Sequence, residues 1–169
     1  MTDELIKTIF ARRSIRKYTE EPVRQQDIQT LLEAAMAAPS ASNRKPWQFV
    51  VVTKRAILDA LGEAHPHGKM LFDAPLAICV CGDLTEMERF WVQDCSAATE
   101  NILLAVTALG LGAVWLGVYP RDDRIDAVRR ILALPEHITP LNLIAIGHAA
   151  EEKEARTQFD ETRVHRESW

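Results

Sequence analysis

Apolar residues recur along the chain at two spacings, and each spacing predicts one kind of element. A return every three or four positions predicts an amphipathic helix, and an unbroken apolar run between turn-forming residues predicts a buried strand. The first spacing predicts helices over residues 3–12, 25–37, 54–63, 91–109 and 122–132. The second predicts strands over residues 47–53, 76–81, 113–118 and 141–146. Strands separated mostly by helices indicate an α/β or α+β sandwich, whose strand order this pattern leaves open.

The predicted helix over residues 91–109 is apolar around much of its circumference. A helix this apolar must be covered on more than one side, so we expect it to face a second subunit as well as the core. The uncharged stretch from Ile102 to Pro120 approaches the roughly 20 residues of a membrane span. Because Gly110, Gly112 and Gly117 divide it into a helix end and a strand, we interpret it as part of the core.

The composition fits one folded domain over residues 1–169, since 47% of the residues are apolar and 26% are charged. The net charge of −4 argues against general binding to nucleic acids or anionic membranes. The N-terminus has no basic region followed by an apolar core, so we expect no secretory signal. Three cysteines cannot form a full set of disulfides, and they predict reduced thiols in a cytoplasmic protein.

Four cationic residues, at positions 12, 13, 16 and 17, surround Ser14 directly after the first predicted helix. Guanidinium groups and a hydroxyl this close together fit phosphate better than other anions, although a solvated loop explains them equally well. Since the chain as a whole is acidic, such a cluster would be a local site for one small anion.

Three short patterns resemble ligand-binding motifs, and we interpret each as structural. Gly110-Leu111-Gly112 follows a helix and precedes a strand, which is the reverse of a dinucleotide-binding turn. Cys79-Val80-Cys81 puts two thiols on one face of a buried strand without the second pair that a zinc site needs. His65-Pro66-His67 has no third metal ligand nearby, so a histidine pair in a loop is the better interpretation.

Three further features leave a ligand and a structural interpretation open. Ser40, Ser42 and Asn43 offer hydroxyls and an amide to the edge of a heterocycle, and they suit a turn equally well. The strand Ala113–Gly117 ends in glycine, which would let a flat ligand approach its backbone N–H groups. Arg156 is either a second phosphate contact or an ordinary surface cation.

Taken together, four segments in this order resemble the nitroreductase family of FMN-dependent oxidoreductases. They are Arg12-Arg13-Ser14-Ile15-Arg16, Ala38 to Trp47, Asp73-Ala74-Pro75 and Gly110 to Gly117. The resemblance runs from about residue 4 into the tail. It implies an α+β fold with a nitroreductase-like central sheet of about four to five strands flanked by helices, in an intertwined homodimer.

The resemblance implies roles for the cations around FMN. Arg12, Arg13 and Ser14 would bind its phosphate and ribityl end, and Arg156 would add a cation from the tail. Arg16 would lie near the N1/O2 edge of the flavin. A fixed cation there stabilises the negative charge of the reduced flavin.

The resemblance also implies which residues surround the flavin ring. In one subunit the ring would be lined by Trp115, Leu116 and Gly117, with a backbone N–H at or next to Gly117 near N5. The other subunit would reach the flavin with a loop whose contacts here are Pro39, Ser40, Ser42 and Asn43.

The chain departs from the family pattern before Asp73. Many members carry an asparagine and a lysine there, at the pyrimidine edge of the flavin, whereas this chain has His65-Pro66-His67-Gly68-Lys69. Lys69 is the candidate for the role of the lysine, and no asparagine is present. The departure bears on substrate preference more than on flavin binding.

The implied function is hydride transfer from NADH or NADPH, via flavin N5, to a nitroaromatic, a quinone or a similar acceptor by a ping-pong mechanism. No side chain need act as an acid–base catalyst, because the cofactor holds the reactive atom. Relatives with similar first segments carry out reductive dehalogenation or flavin fragmentation. A non-catalytic flavin-binding protein, or a nucleic-acid-binding protein using residues 12–17, are further alternatives. We expect no metal, nucleic acid or membrane partner.

Overall fold

A computed structural model describes residues 2–169, and its elements follow the predicted pattern. The helices are α1 (Thr2–Ala11), α2 (Gln25–Met36), α3 (Arg55–Ala64), α4 (Trp91–Ala108) and α5 (Asp122–Leu132). The strands are β1 (Trp47–Val52), β2 (Leu76–Asp83), β3 (Gly112–Gly117) and β4 (Ile138–Gly147). Each predicted helix and strand is therefore confirmed, and the largest difference in bounds is at the start of β4.

β4 begins at Ile138 rather than at Leu141 because Pro140 does not interrupt the strand. Pro140 is paired with Cys81 of β2, next to an irregularity in the register between Val80 and Cys81. A bulge of this kind accommodates a residue that has no N–H to donate to the ladder.

The strands form one antiparallel sheet in the order β1-β2-β4-β3. Helices α2 and α4 cover one face, and α3 and α5 cover the other. Along β2, Ile78 and Val80 face α2 and α4, whereas Cys79 and Cys81 face α3 and α5. Because both faces of the sheet are buried, its strands are continuous apolar runs. An antiparallel sheet covered by helices confirms the predicted α+β fold. The two thiols are buried and unbridged, as predicted, with 3.5 Å between their sulfur atoms.

The broad apolar circumference of α4 packs against the sheet, α2 and α1 within the same chain. α1 carries an apolar face that stays open, on which Leu5 is 63% exposed and Ile6, Ile9 and Phe10 are 43%, 43% and 42% exposed. An apolar helical face this open is a surface that another protein chain could cover. No helix among residues 2–169 is long and apolar enough to cross a membrane.

The segment that follows α1 runs along the outer edge of β3, and we call residues 12–18 the docked segment. Ser14 forms a parallel bridge with Ala113, and the Ile15 N–H donates to the Ala113 carbonyl at 2.9 Å. Ile15 is buried against Gly112, where an added Cβ would lie 2.7 Å from Ile15 Cγ2. Because Gly112 has no side chain, the docked segment can lie close to β3. This close approach brings Arg16 to the edge of the sheet.

Gly112→Ala should lower the free energy of unfolding by about 1–3 kcal/mol, because the new methyl group would overlap Ile15 in a packed core. Gly117→Ala is the matched control, since a Cβ added at that end of the same strand would meet no described atom within 4 Å. Urea unfolding of the two variants measures the difference. Equal stabilities would contradict the close contact between Ile15 and β3.

Candidate active site

A cleft of about 620 Å³ opens at the outer edge of β3, and we call it the β3 cleft. It is lined by five residues of the predicted cofactor site, namely Arg16, Lys69, Trp115, Leu116 and Gly117. None of the described residues that line it is acidic, although the net charge of the chain is −4. The cleft is therefore a local positive region that attracts an anionic or electron-rich ligand.

The backbone of β3 presents hydrogen-bonding groups along this edge. The Val118 N–H donates to the Leu141 carbonyl of β4 at 3.0 Å. Because every second residue of an antiparallel strand bonds to its partner strand, Leu116 also bonds to β4, whereas Trp115 and Gly117 do not. The backbone groups of Trp115 and Gly117 therefore point away from β4. No described atom lies within 4 Å of the Cβ position that Gly117 lacks. A flat ligand thus has room beside the end of the strand.

Two residues of the C-terminal tail hold the docked segment in place. The Arg16 N–H donates to Glu151 Oε1 at 2.6 Å, and Lys153 Nζ donates to the Ser14 carbonyl at 2.6 Å. Glu151 and Lys153 also pair with each other at 3.2 Å. The hydrogen bond from the Arg16 amide lowers the pKa of the Glu151 carboxyl, and Lys153 acts in the same direction. These contacts fix the backbone while the Arg16 side chain lines the cleft.

The other predicted phosphate contacts lie away from the β3 cleft. Arg12 and Arg156 line a second depression, of about 550 Å³, beside α1, where Arg12 Nε is 3.8 Å from Glu100 Oε1. We call it the α1 depression. The Arg13 guanidinium donates to the Glu154 carbonyl. The phosphate roles of these cations, and of Ser14, stay predictions.

The loop predicted to reach another subunit also lies outside the β3 cleft of its own chain. Pro39 and Ser40 line a third depression, of about 370 Å³, against the start of α4. A backbone N–H of the loop donates to Asp94 Oδ1 of α4 at 2.9 Å. Ser42 and Asn43 have φ angles of 51° and 54°, a left-handed conformation that costs energy for residues other than glycine. Their contacts with a flavin stay predictions.

Two residues absent from the predicted site meet at the end of β3. His65 Nε2 lies 2.9 Å from the Gly117 carbonyl oxygen, and Arg124 Nη1 donates to the same oxygen at 2.8 Å. Both side chains line the β3 cleft. Burial lowers the pKa of His65, and the positive charge of Arg124 lowers it further, although the hydrogen bond to Gly117 opposes them.

Comparison with known proteins identifies the family. The model of the nitroreductase family matches residues 9–67 and 64–148, which together make up most of the chain. The chain belongs to the nitroreductase family. The family prediction based on the four sequence segments is therefore confirmed.

Individual relatives resemble this nitroreductase-family protein over nearly its whole length. A Methanothermobacter thermautotrophicus protein, provisionally named NADH dehydrogenase/NAD(P)H nitroreductase, is 48% identical over 98% of this chain and 88% of its own. The crystal structure of a Parabacteroides distasonis protein with the same provisional name has a TM-score of 0.96 at 43% identity, covering 98% and 99% of the two chains. A provisionally named nitroreductase from Desulfovibrio desulfuricans, solved in complex with FMN, has a TM-score of 0.83 at 33% identity and covers 96% of both. The predicted nitroreductase-like fold is thereby confirmed.

Neither His65 nor Arg124 was predicted to belong to this nitroreductase-family site, because the sequence around each gives little indication of a role there. His65 stood out only as part of His65-Pro66-His67, and no cluster of three metal-ligating side chains occurs among the described residues. Arg124 is one of several charged residues at the start of α5. Only the way in which α3, α5 and β3 pack together shows that both reach Gly117.

Glu151→Gln should destabilise the protein at neutral pH, and the effect should fade in acid. The pKa of Glu151 is lower in the folded state than in the unfolded chain, so the ionised carboxylate stabilises the fold. This stabilisation is fully present at pH values above the unfolded pKa of about 4.3, and it is lost as the pH falls through the lower pKa of the folded state. Urea unfolding at a series of pH values measures the difference in free energy between variant and wild type. Glu152→Gln, at an exposed neighbouring position, is the control. A difference independent of pH would contradict the role of the Glu151 charge.

Proposed function

We propose that this protein transfers hydride from NADH or NADPH, via N5 of bound FMN, to a nitroaromatic, a quinone or a similar acceptor by a ping-pong mechanism. The observation that carries the proposal is the β3 cleft, in which Arg16 and Lys69 lie around the outward-facing backbone of Gly117. The broader class, an NAD(P)H-dependent oxidoreductase with FMN, is confirmed by the family match and by the relatives' names and FMN complex reported above.

The β3 cleft has room for an isoalloxazine ring and a lining whose chemistry suits one. The space beside Gly117 is open, and the backbone groups of Trp115 and Gly117 face outward from β4. Arg16 and Lys69 supply positive charge for the electron-rich pyrimidine edge. When bound, FMN supplies the hydride chemistry, and the side chains supply binding, orientation and charge. No side chain is needed as an acid–base catalyst.

The docked segment offers a way to hold the phosphate end of the cofactor. Four residue steps separate Arg12, at the α1 depression, from Arg16, at the β3 cleft, which is a span of up to about 14 Å. A ligand with a flat ring at one end and a phosphate at the other can therefore contact both ends of the segment. The phosphate contacts that we propose are Arg12, Arg13, Ser14 and Arg156.

A second copy of the chain would complete the site. The open apolar face of α1 gives a surface on which two copies can associate. The loop from Pro39 to Asn43 lies outside its own β3 cleft, on a surface that a second subunit can contact. We propose a homodimer with FMN at the interface, in which Ser40, Ser42 and Asn43 contact the flavin of the other subunit.

The visible spectrum of the purified protein tests the proposal. We expect flavin absorbance after addition of FMN, bleaching of that absorbance by NADH or NADPH without oxygen, and recovery on addition of a quinone or a nitroaromatic. Protein that takes up no FMN would refute the flavin site. Protein that binds FMN but is reduced by neither nucleotide would be a non-catalytic flavin-binding protein. Product analysis with a halogenated aromatic acceptor would reveal reductive dehalogenation instead.

Arg16→Ala should slow reduction of the bound flavin by about tenfold or more, and should lower FMN occupancy less. The reason is that a charge-assisted contact to the reduced flavin strengthens as negative charge develops during the transfer. Stopped-flow measurement of the reduction rate per bound flavin checks this. Arg130→Ala, which removes an exposed cation of α5 that does not line the β3 cleft, is the control. Loss of flavin with a normal rate per bound flavin would assign Arg16 to binding alone.

A further inference from the structure

The carbonyl group of Gly117 is held by two side chains from different elements. His65, directly after α3, places Nε2 at 2.9 Å from this oxygen, and Arg124, at the start of α5, donates to it from Nη1 at 2.8 Å. The two helices that cover one face of the sheet therefore meet, through these side chains, at the last residue of β3.

These contacts determine which nitrogen of His65 carries the proton. A carbonyl oxygen only accepts hydrogen bonds, so Nε2 must be the protonated nitrogen. Nδ1 lies 3.1 Å from the backbone nitrogen of His67 and accepts its N–H. The neutral ring makes both hydrogen bonds, whereas a doubly protonated ring could not accept the N–H of His67 at Nδ1. Since both nitrogens are in use, His65 cannot ligate a metal together with His67 without breaking one of these bonds.

The position of His65 keeps it in this neutral form. His65 is only 4% exposed, and burial, together with the positive charge of Arg124, lowers its pKa although the hydrogen bond to Gly117 opposes them. A lowered histidine pKa leaves the ring neutral at physiological pH. His65 is thus a buried hydrogen-bond donor with a fixed orientation, at the wall of the β3 cleft.

The held carbonyl matters because of its place in the strand. In a strand the N–H and C=O of one residue point to the same side, so both groups of Gly117 face away from β4. Glycine has the greatest backbone freedom of any residue, and this one is the terminal residue of an edge strand. The N–H and the carbonyl of Gly117 belong to neighbouring peptide planes that meet at its Cα, so a carbonyl held in one direction narrows the rotations at that Cα and with them the directions open to the N–H.

We propose that His65 is a positioning residue of the cofactor site, which acts with Arg124 to hold the Gly117 carbonyl and so orients the Gly117 N–H toward FMN. This inference rests on the proposed function, since it needs FMN in the β3 cleft. It gives the histidine of the His65-Pro66-His67 pattern a role that is neither metal binding nor surface solvation.

Substitutions that keep or remove the donor test the proposal. His65→Ala removes it, whereas the side-chain amide of His65→Gln can donate from near the position of Nε2. His137→Ala, at an exposed histidine outside the β3 cleft, is the control. Two quantities are measured on each protein, namely the Kd for FMN, by fluorescence titration of the apoprotein, and the midpoint potential of the bound flavin.

We expect His65→Ala to raise the Kd for FMN by about fivefold, which is the effect of losing one hydrogen bond. The midpoint potential of the bound flavin should shift as well. His65→Gln should stay within about twofold of wild type in Kd, and should keep its potential. Thermal unfolding of the apoproteins identifies a change that is only structural. If His65→Ala does not fold, His65→Asn replaces it, because the shorter amide does not reach Gly117.

The outcomes separate the two proposals. Wild-type protein that does not bind FMN would overturn the proposed function, and this inference with it. Wild-type binding with an unchanged Kd and midpoint potential in His65→Ala would overturn the role of His65 alone. Equal impairment of His65→Ala and His65→Gln would also overturn it, because the donor would then not be what matters. A lower melting temperature with an unchanged Kd and potential would make His65 a structural residue only.

Discussion

The short parallel contact between Ser14 and Ala113 is the interaction on which the candidate site depends. An edge strand exposes unpaired backbone groups, which proteins normally cover or disrupt. Here the docked segment covers the first part of the β3 edge and leaves the part from Trp115 to Gly117 to the cleft, where side chains bind the Gly117 carbonyl. The same contact brings Arg16 beside that open part. One pairing thus both limits the exposed edge and places a cation next to it.

The electrostatic character of the site follows from where the acidic groups lie. Glu151 is close to Arg16, but its carboxylate accepts the backbone N–H and pairs with Lys153. The guanidinium group of Arg16 is therefore not neutralised within the cleft. A buried, neutral His65 adds a donor without adding charge. The β3 cleft consequently combines the positive charges of Arg16, Lys69 and Arg124 with the neutral ring of His65 and the neutral backbone of the strand.

Much of the fold could be predicted from the sequence because each element has a clear apolar period and turn-forming residues at its ends. The bounds of β4 could not, since Pro140 is tolerated only at a bulge that involves the opposite strand. The strand order was also unpredictable, because it depends on long-range pairing. For the site, the family resemblance identified five residues that line the cleft. His65 and Arg124 were missed because their shared partner, Gly117, lies 52 residues from the first and on another element from the second.

The groups that hold the docked segment have a consequence for when the wall of the β3 cleft is completed. Glu151 and Lys153, which bind Arg16 and Ser14, follow them by 135 and 139 residues in the chain. During synthesis on a ribosome, the first wall of the binding site is therefore made long before the residues that secure it. Closing so long a loop costs chain entropy before the contact repays it, so these contacts form slowly compared with contacts between neighbouring residues. The docked segment is therefore secured beside β3 only once the tail has been made, and a chain shortened before Glu151 would lose both contacts that fix this wall of the β3 cleft.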